Sequence, residues 1–147
     1  MSGSVFVDTN VLVYARDTTE PDKQLLAARW VEHLWRNRTG RLSFQVLHEY
    51  YVTVTAKLRP GMDPASARAD VRALTTWTPS LPSPERLEIA WPLQDRFGLS
   101  FWDAQIIAAA QQSGCATLLT EDLQHGQAFG DLRVVSPFVV APNDPRA

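Results

Sequence analysis

Short runs of hydrophobic residues occur near both ends of the chain. The first covers residues 5–7, and two others cover residues 116–119 and 132–135. Runs of this length, bounded by small and polar residues, are typical of strands buried in a parallel sheet. A further short strand is predicted over residues 41–44. The pattern therefore predicts a sheet that is mostly parallel.

Between these runs, hydrophobic residues recur at intervals of three and four. Leu26, Trp30 and Leu34 follow this spacing, which is typical of one face of an amphipathic helix. Thr19 is a suitable N-cap, and Pro21 fits the first helical turn. A long helix is therefore expected to begin near Thr19 and to fray before the next predicted strand.

Other segments also carry helix signals. Ser43, Ser83 and Ser100 stand where N-caps are expected, and Gly98 stands where a helix would end. Pro92 would kink the helix that contains it or mark a frayed middle. Helices are therefore predicted over residues 11–14, 44–57, 63–77, 83–97 and 100–113.

The alternation of strands and helices indicates the fold class. It predicts an α/β protein, a three-layer sandwich around a mostly parallel central sheet. The sequence contains no internal repeat and no sign of a second domain. Residues 1–141 are therefore expected to form one domain, and the polar residues 142–147 a loose C-terminal tail.

The composition fits a single globular domain. Of 147 residues, 45% are hydrophobic and 20% are charged, so a core is possible without disulfides. Cys115 is the only cysteine, which excludes a disulfide framework and a cysteine-rich zinc site.

No hydrophobic run approaches the roughly 20 residues of a membrane span. A cytoplasmic location without membrane contact is expected, and the net charge of −2 neither indicates nor excludes a nucleic-acid partner.

Four acidic residues stand at unusual places in this pattern. Asp8 and Asp122 follow predicted strands, whereas Glu49 and Asp103 lie in segments that otherwise resemble buried helices. In parallel sheets, ligand sites form outside the carboxyl ends of the strands. Each acid also has a simpler interpretation: Asp8 as a helix cap, Asp122 as part of a turn, Glu49 on a polar helix stripe, and Asp103 in a capping box with Ser100.

Considered together, the four acids indicate a metal site. Two such charges about 4 Å apart repel by roughly 4 kcal/mol at an effective dielectric constant near 20, so a cation is needed among them. Oxygen ligands without histidine or thiol favour Mg²⁺ or Mn²⁺ over zinc. The chemistry that such a site supports is the hydrolysis of a phosphodiester by a metal-activated water.

The chain also resembles a known family over nearly its whole length. The segments that carry the resemblance are FVDTNVLVY, QVLHEYY, FGLSFWDAQIIAAAQQSGCATLLTEDLQHG and LRVVSPF. Together they are similar to PIN-domain ribonucleases of the VapC toxin type. One departure is Ser136, where family members often have Asn before the Pro-Phe pair. The resemblance implies a PIN-like fold and a Mg²⁺- or Mn²⁺-dependent endoribonuclease, the toxin component of a toxin-antitoxin system.

The resemblance also implies roles for individual residues. The acidic catalytic set would contain Asp8, Glu49, Asp103 and Asp122. Of these, the three aspartates would bind the metal directly, and Glu49 would act through a water. The expected supporting residues around the acids are Thr9, Asn10 and Thr120.

The family further implies partners. Its members act on RNA, form homodimers and pair with a small antitoxin of the VapB type.

Glu121, next to Asp122, is an extra acid in the sequence. Adjacent residues on an extended chain point to opposite sides, so only one of Glu121 and Asp122 is expected to enter the site.

Two other functions stay open from the sequence. An aspartyl-phosphate phosphatase would use Asp8 as nucleophile, although such enzymes usually carry a second Asp where this chain has Asn10. A PIN-like interaction module with a silent site is the second alternative. His48 is expected to face away from Glu49, whereas His125 lies in a loop from which it could reach a phosphate.

Overall fold

The computed structural model describes residues 3–147 and contains one sheet of five strands. The strand order is β2-β1-β3-β5-β4, in which β4 alone is antiparallel to its neighbour. The strands are β1 (Val5–Val7), β2 (Gly40–Arg41), β3 (Thr117–Leu119), β4 (Ala128–Phe129) and β5 (Leu132–Val135). The predicted α/β class with a mostly parallel central sheet is confirmed.

Helices flank this sheet. Two short helical turns of other types extend the main helices: a π-helix over Thr53–Lys57 and a 3₁₀ turn over Thr75–Trp77. The α-helices are α1 (Thr9–Tyr14), α2 (Pro21–Asn37), α3 (Phe44–Val52), α4 (Pro64–Leu74), α5 (Pro84–Phe97) and α6 (Phe101–Gln112).

Local sequence signals explain most helix starts. The side chains of Ser43, Asp63, Ser83 and Ser100 each accept a hydrogen bond from a backbone N–H in the first turn. The predicted Thr19 cap is wrong, because Glu20 occupies the N-cap of α2 and makes no side-chain capping bond. The backbone N–H and hydroxyl of Thr19 instead both bind a carboxylate oxygen of Asp17 in the preceding turn.

Other boundaries differ from the sequence-based expectation. The strand expected over residues 41–44 is β2, one residue earlier and only two residues long, because Ser43 already caps α3. Strand β4 was not predicted, since its two residues have no periodicity to detect. Helix α5 runs as one element through Pro92, whose side chain faces solvent.

The two central strands end at the same edge of the sheet. β1 and β3 pair in parallel, with Val7 opposite Leu119, and the N–H of Asp8 donates to the carbonyl of Leu119 (3.0 Å). The residues that follow both strands, Asp8 and Thr120, are therefore neighbours. The core packs around these strands and includes Phe6, which is fully buried.

Within residues 3–147, no helix combines the length and hydrophobicity needed to cross a membrane. The proposed division into a domain of residues 1–141 and a tail of residues 142–147 stays a prediction.

Candidate functional site

Asp8 lies at the junction of β1 and α1. It is the N-cap of α1: its Oδ1 accepts from the N–H of Thr9 (2.8 Å). Its Oδ2 accepts from the hydroxyl of Thr120 (2.9 Å) and from the Asn10 amide (3.3 Å). The side chain is only 7% exposed. Asp8 is therefore both a helix cap and a buried carboxylate at the carboxyl edge of the sheet.

Burial raises the pKa of Asp8 from 3.8 to about 6. The hydrogen bonds from Thr120 and Thr9 oppose this rise, whereas the negative charges of Asp122 and Glu49 add to it. The carboxylate is thus held in a place where its charge is poorly solvated and is repelled by other acids. A bound cation would relieve both costs.

Asn10 connects the acidic residues that follow the two strands. Its amide nitrogen lies 3.0 Å from Oδ2 of Asp122 and 3.0 Å from the hydroxyl oxygen of Thr120, besides the longer contact to Asp8. Its carbonyl oxygen accepts from the N–H of Glu121 (3.2 Å). One side chain therefore fixes the turn after β3 against the start of α1.

Asp122 is coupled to the other acids. Burial is the largest cause that raises its pKa, the hydrogen bond from Asn10 opposes it, and the charges of Asp103, Glu121 and Glu49 raise it further. Its N–H donates to the hydroxyl oxygen of Thr120 (3.1 Å). Asp122 therefore lies within electrostatic range of acids from two different helices.

Glu49 reaches the start of α1 from α3. Its Oε2 accepts from the hydroxyl of Thr9 (2.9 Å), and its Oε1 accepts from the amide of Gln45 (3.0 Å). Thr9 thus connects Glu49 to the residue adjoining Asp8. Gln45 was missed by sequence reasoning, although its position four residues before Glu49 on one helix is a usable signal.

Asp103 lies in the first turn of α6, and its charge helps to raise the pKa of Asp122. Its N–H donates to Ser100 Oγ (3.1 Å), so Ser100 caps the helix. Among the hydrogen bonds of residues 3–147, none involves the Asp103 carboxylate, and the reciprocal half of a capping box is absent there. Helix capping therefore does not engage this carboxylate.

Two substitutions at the start of α6 can distinguish helix capping by Ser100 from a role of Asp103 in the acidic site. Ser100→Ala should lower the free energy of unfolding by about 1 kcal/mol, because it removes the cap. Asp103→Asn should leave the stability of the metal-free protein unchanged or slightly higher, because it removes a charge that the other acids repel. Urea unfolding in the presence of EDTA measures both. A loss for Asp103→Asn as large as that for Ser100→Ala would assign Asp103 to helix capping.

Glu121 faces away from the acidic group. Its carboxylate pairs with Lys23 of α2, while the adjacent Asp122 binds Asn10. Lys23 is a second residue that sequence reasoning missed, because nothing in the pattern of α2 marks it.

The two candidate histidines, His48 and His125, lie outside the acidic group. His48 borders an apolar groove with Tyr51 and Val71, on a different face of α3 from Glu49. His125 accepts a hydrogen bond from the N–H of Ser136 at its Nδ1 (3.0 Å). His125 thereby ties the loop after Asp122 to the end of β5.

The acids fit a hard divalent cation by their chemistry. All candidate donors are oxygens, the acids come from four chain segments, and Asp8 is buried and destabilised in its charged form. Across residues 3–147, however, no three Asp, Glu, His or Cys side chains stand close enough to one another to enclose an ion. The amide of Asn10 lies between Asp8 and Asp122 and bridges them. Enclosing an ion would require side-chain rotations that draw the carboxylates inward.

Comparison with known proteins identifies the family. The sequence model of the PIN domain family matches residues 5–128. A search of curated proteins finds no significant match. Among solved structures, the chain is similar to the VapC20 toxin of Mycobacterium tuberculosis, whose structure is described as a toxin that cleaves the sarcin-ricin loop. The TM-score is 0.57 and the identity 22%, over 78% of this chain and 87% of that one.

The chain therefore belongs to the PIN domain family, as its sequence motifs indicated. Its fold is similar to that of the VapC20 toxin. The structural likeness extends over most of both chains.

Proposed function

We propose that this protein is a divalent-metal-dependent endoribonuclease and the toxin component of a toxin-antitoxin pair. The observation that carries the proposal is the convergence of acids from four chain segments on one edge of a PIN-domain sheet. The Asp8 carboxylate is the strongest support, because a carboxylate that is 7% exposed and repelled by the charges of Asp122 and Glu49 is costly without a cation.

The acids and the polar residues around them would have different roles in this activity. Asp8, Asp103 and Asp122 would hold Mg²⁺ or Mn²⁺, and Glu49 would orient a water. When bound, the ion would activate that water and neutralise charge on the scissile phosphate. Thr9, Asn10 and Thr120 contact the acids directly and would keep their carboxylates in the required orientations.

The sequence argues against an aspartyl-phosphate phosphatase. Such enzymes usually carry a second Asp two positions after the nucleophile, and here that residue is Asn10, whose amide donates to Asp8 and cannot act as an acid or a base. A silent interaction module is a weaker alternative, because a site without function has no reason to keep a buried acid at a cost in stability.

The proposal includes the partners implied by the VapC likeness. These are a homodimeric state, a VapB-type antitoxin and an RNA substrate. The sarcin-ricin loop belongs in the test panel because VapC20 cleaves it, but structured RNAs are selected by loop shape, and 22% identity does not transfer that choice.

Purified protein is expected to cleave RNA when Mn²⁺ or Mg²⁺ is added and to stop when EDTA is added. The substrates would be a panel of labelled RNAs that contains a sarcin-ricin loop hairpin, structured RNAs and single-stranded RNAs. Cleavage that continues in EDTA would contradict metal dependence. If no RNA is cut with either ion while the protein is folded and free of antitoxin, the nuclease proposal fails.

A further inference from the structure

An aromatic and charged cluster lies beside the acidic cleft. We name it the Lys23 cluster, and it consists of Tyr14, Lys23, Glu121 and Phe138. The ammonium group of Lys23 pairs with Glu121 and lies 3.4 Å from the hydroxyl oxygen of Tyr14. The same group lies 4.8 Å from the ring centre of Tyr14 and 5.1 Å from that of Phe138.

The aromatic rings of Tyr14 and Phe138 form a binding site for the Lys23 ammonium group. Tyr14 and Phe138 meet edge to face, with ring centres 5.3 Å apart. An ammonium group over two aromatic faces is held more firmly than one on an open surface. The four members come from α1, α2, the turn after β3 and the segment after β5, so the tertiary fold fixes the position of Lys23.

The backbone of the turn is already held without this cluster. The N–H of Glu121 binds Asn10, and the N–H of Asp122 binds Thr120. The specific effect of Lys23 is therefore on the Glu121 side chain. Within residues 3–147, Lys23 is also the only basic side chain that forms an ion pair with Glu121 or any of the four site acids.

We propose that Lys23 is a positioning residue that keeps the Glu121 carboxylate outside the metal site, so that Asp122 alone of this adjacent pair serves it. The inference rests on the proposed function, because it assumes that the acids bind a divalent cation. A released Glu121 would be drawn toward that cation and would take a ligand position needed by water or by a phosphate oxygen.

Lys23→Met tests this, because its side chain still packs on Tyr14 and Phe138 but cannot pair with Glu121, which then keeps only the Tyr14 hydroxyl as a partner in this cluster. Calorimetric titration with Mn²⁺ alone should show binding about fivefold tighter, since one uncompensated negative charge is added near the site. At saturating Mn²⁺, kcat should fall about tenfold, because Glu121 takes a ligand position that water or a phosphate oxygen needs. The KM for RNA should change by less than about twofold.

Three further variants sharpen the test. Lys23→Met combined with Glu121→Gln should return both Mn²⁺ affinity and kcat to within about threefold of wild type, because the charge that moved is gone. Lys23→Arg keeps the ion pair and should also stay near wild type. Arg36→Met breaks an exposed ion pair with Glu32 near the other end of α2 and should change neither quantity.

The outcomes separate this inference from the nuclease proposal. A raised KM with unchanged kcat in Lys23→Met would mean that Lys23 contacts RNA, and would overturn the positioning role. Unchanged Mn²⁺ affinity and kcat, or a double variant no better than Lys23→Met, would also overturn it. A wild-type protein that neither binds Mn²⁺ nor cleaves RNA would end the proposed function and this inference together.

Discussion

Asp8→Asn is expected to reduce RNA cleavage by more than about a hundredfold, beyond the loss usual for residues that only support metal ligands. Asp103→Asn and Asp122→Asn should have losses of the same order. Each change removes a negative charge and one oxygen ligand while it keeps the volume of the side chain. Glu49→Gln should lose less if Glu49 acts through a water.

The measurement is the single-turnover cleavage rate at saturating RNA over a range of Mn²⁺ concentrations. Asp95→Asn is a matched control, because Asp95 is exposed on α5 and is not one of the site acids. Circular dichroism should show that all variants fold. Asp8→Asn or Asp103→Asn protein that cleaves RNA at the wild-type rate would show that the acidic site is assigned wrongly.

The second large effect concerns the stability of the metal-free protein. Burial raises the pKa of Asp8 to about 6. The folded protein therefore holds the Asp8 proton more tightly than the unfolded chain does. The resulting gain in the free energy of unfolding is fully present below about pH 4. This gain is lost as the pH rises through about 6, where Asp8 gives up its proton in the folded protein as well. A shift of this size corresponds to about 3 kcal/mol.

Asp8→Asn removes the titration. In EDTA, the variant should gain stability relative to wild type by as much as about 3 kcal/mol between pH 4 and pH 7.5. Urea unfolding at several pH values measures this change in the difference, and acids that do not interact with Asp8 contribute equally to both proteins. Asp95→Asn should show no such change. A constant difference between Asp8→Asn and wild type across this range would contradict the destabilised carboxylate.

Saturating Mn²⁺ should offset most of the stability that wild-type protein lacks relative to Asp8→Asn at about pH 7.5. A ligand at 100 times its Kd stabilises the folded state by about 2.7 kcal/mol, and that gain requires the Asp8 carboxylate. Wild-type protein at pH 7.5 should therefore become more stable with Mn²⁺, and Asp8→Asn should gain much less.

The periodicity of hydrophobic residues and the cap residues determined most elements of this protein. The cap at Ser100 and the strand at residues 132–135 match the structure, because both depend on local chemistry. The cap assigned to Thr19 was wrong because a nearby carboxylate, that of Asp17, competes for the same groups. The motifs around Asp8 and Asp122 were also enough to indicate the PIN family.

Only the tertiary structure decided how the acids are held together. Asn10 reaches Asp122 and Thr120 because β1 and β3 pair in parallel and in register, and no local pattern encodes that pairing. The same holds for Lys23, which meets Glu121 only after α2 packs beside the turn that follows β3. Local sequence selects caps and hydrophobic faces over a few residues, whereas a contact between residues about a hundred positions apart exists only when the whole sheet has formed.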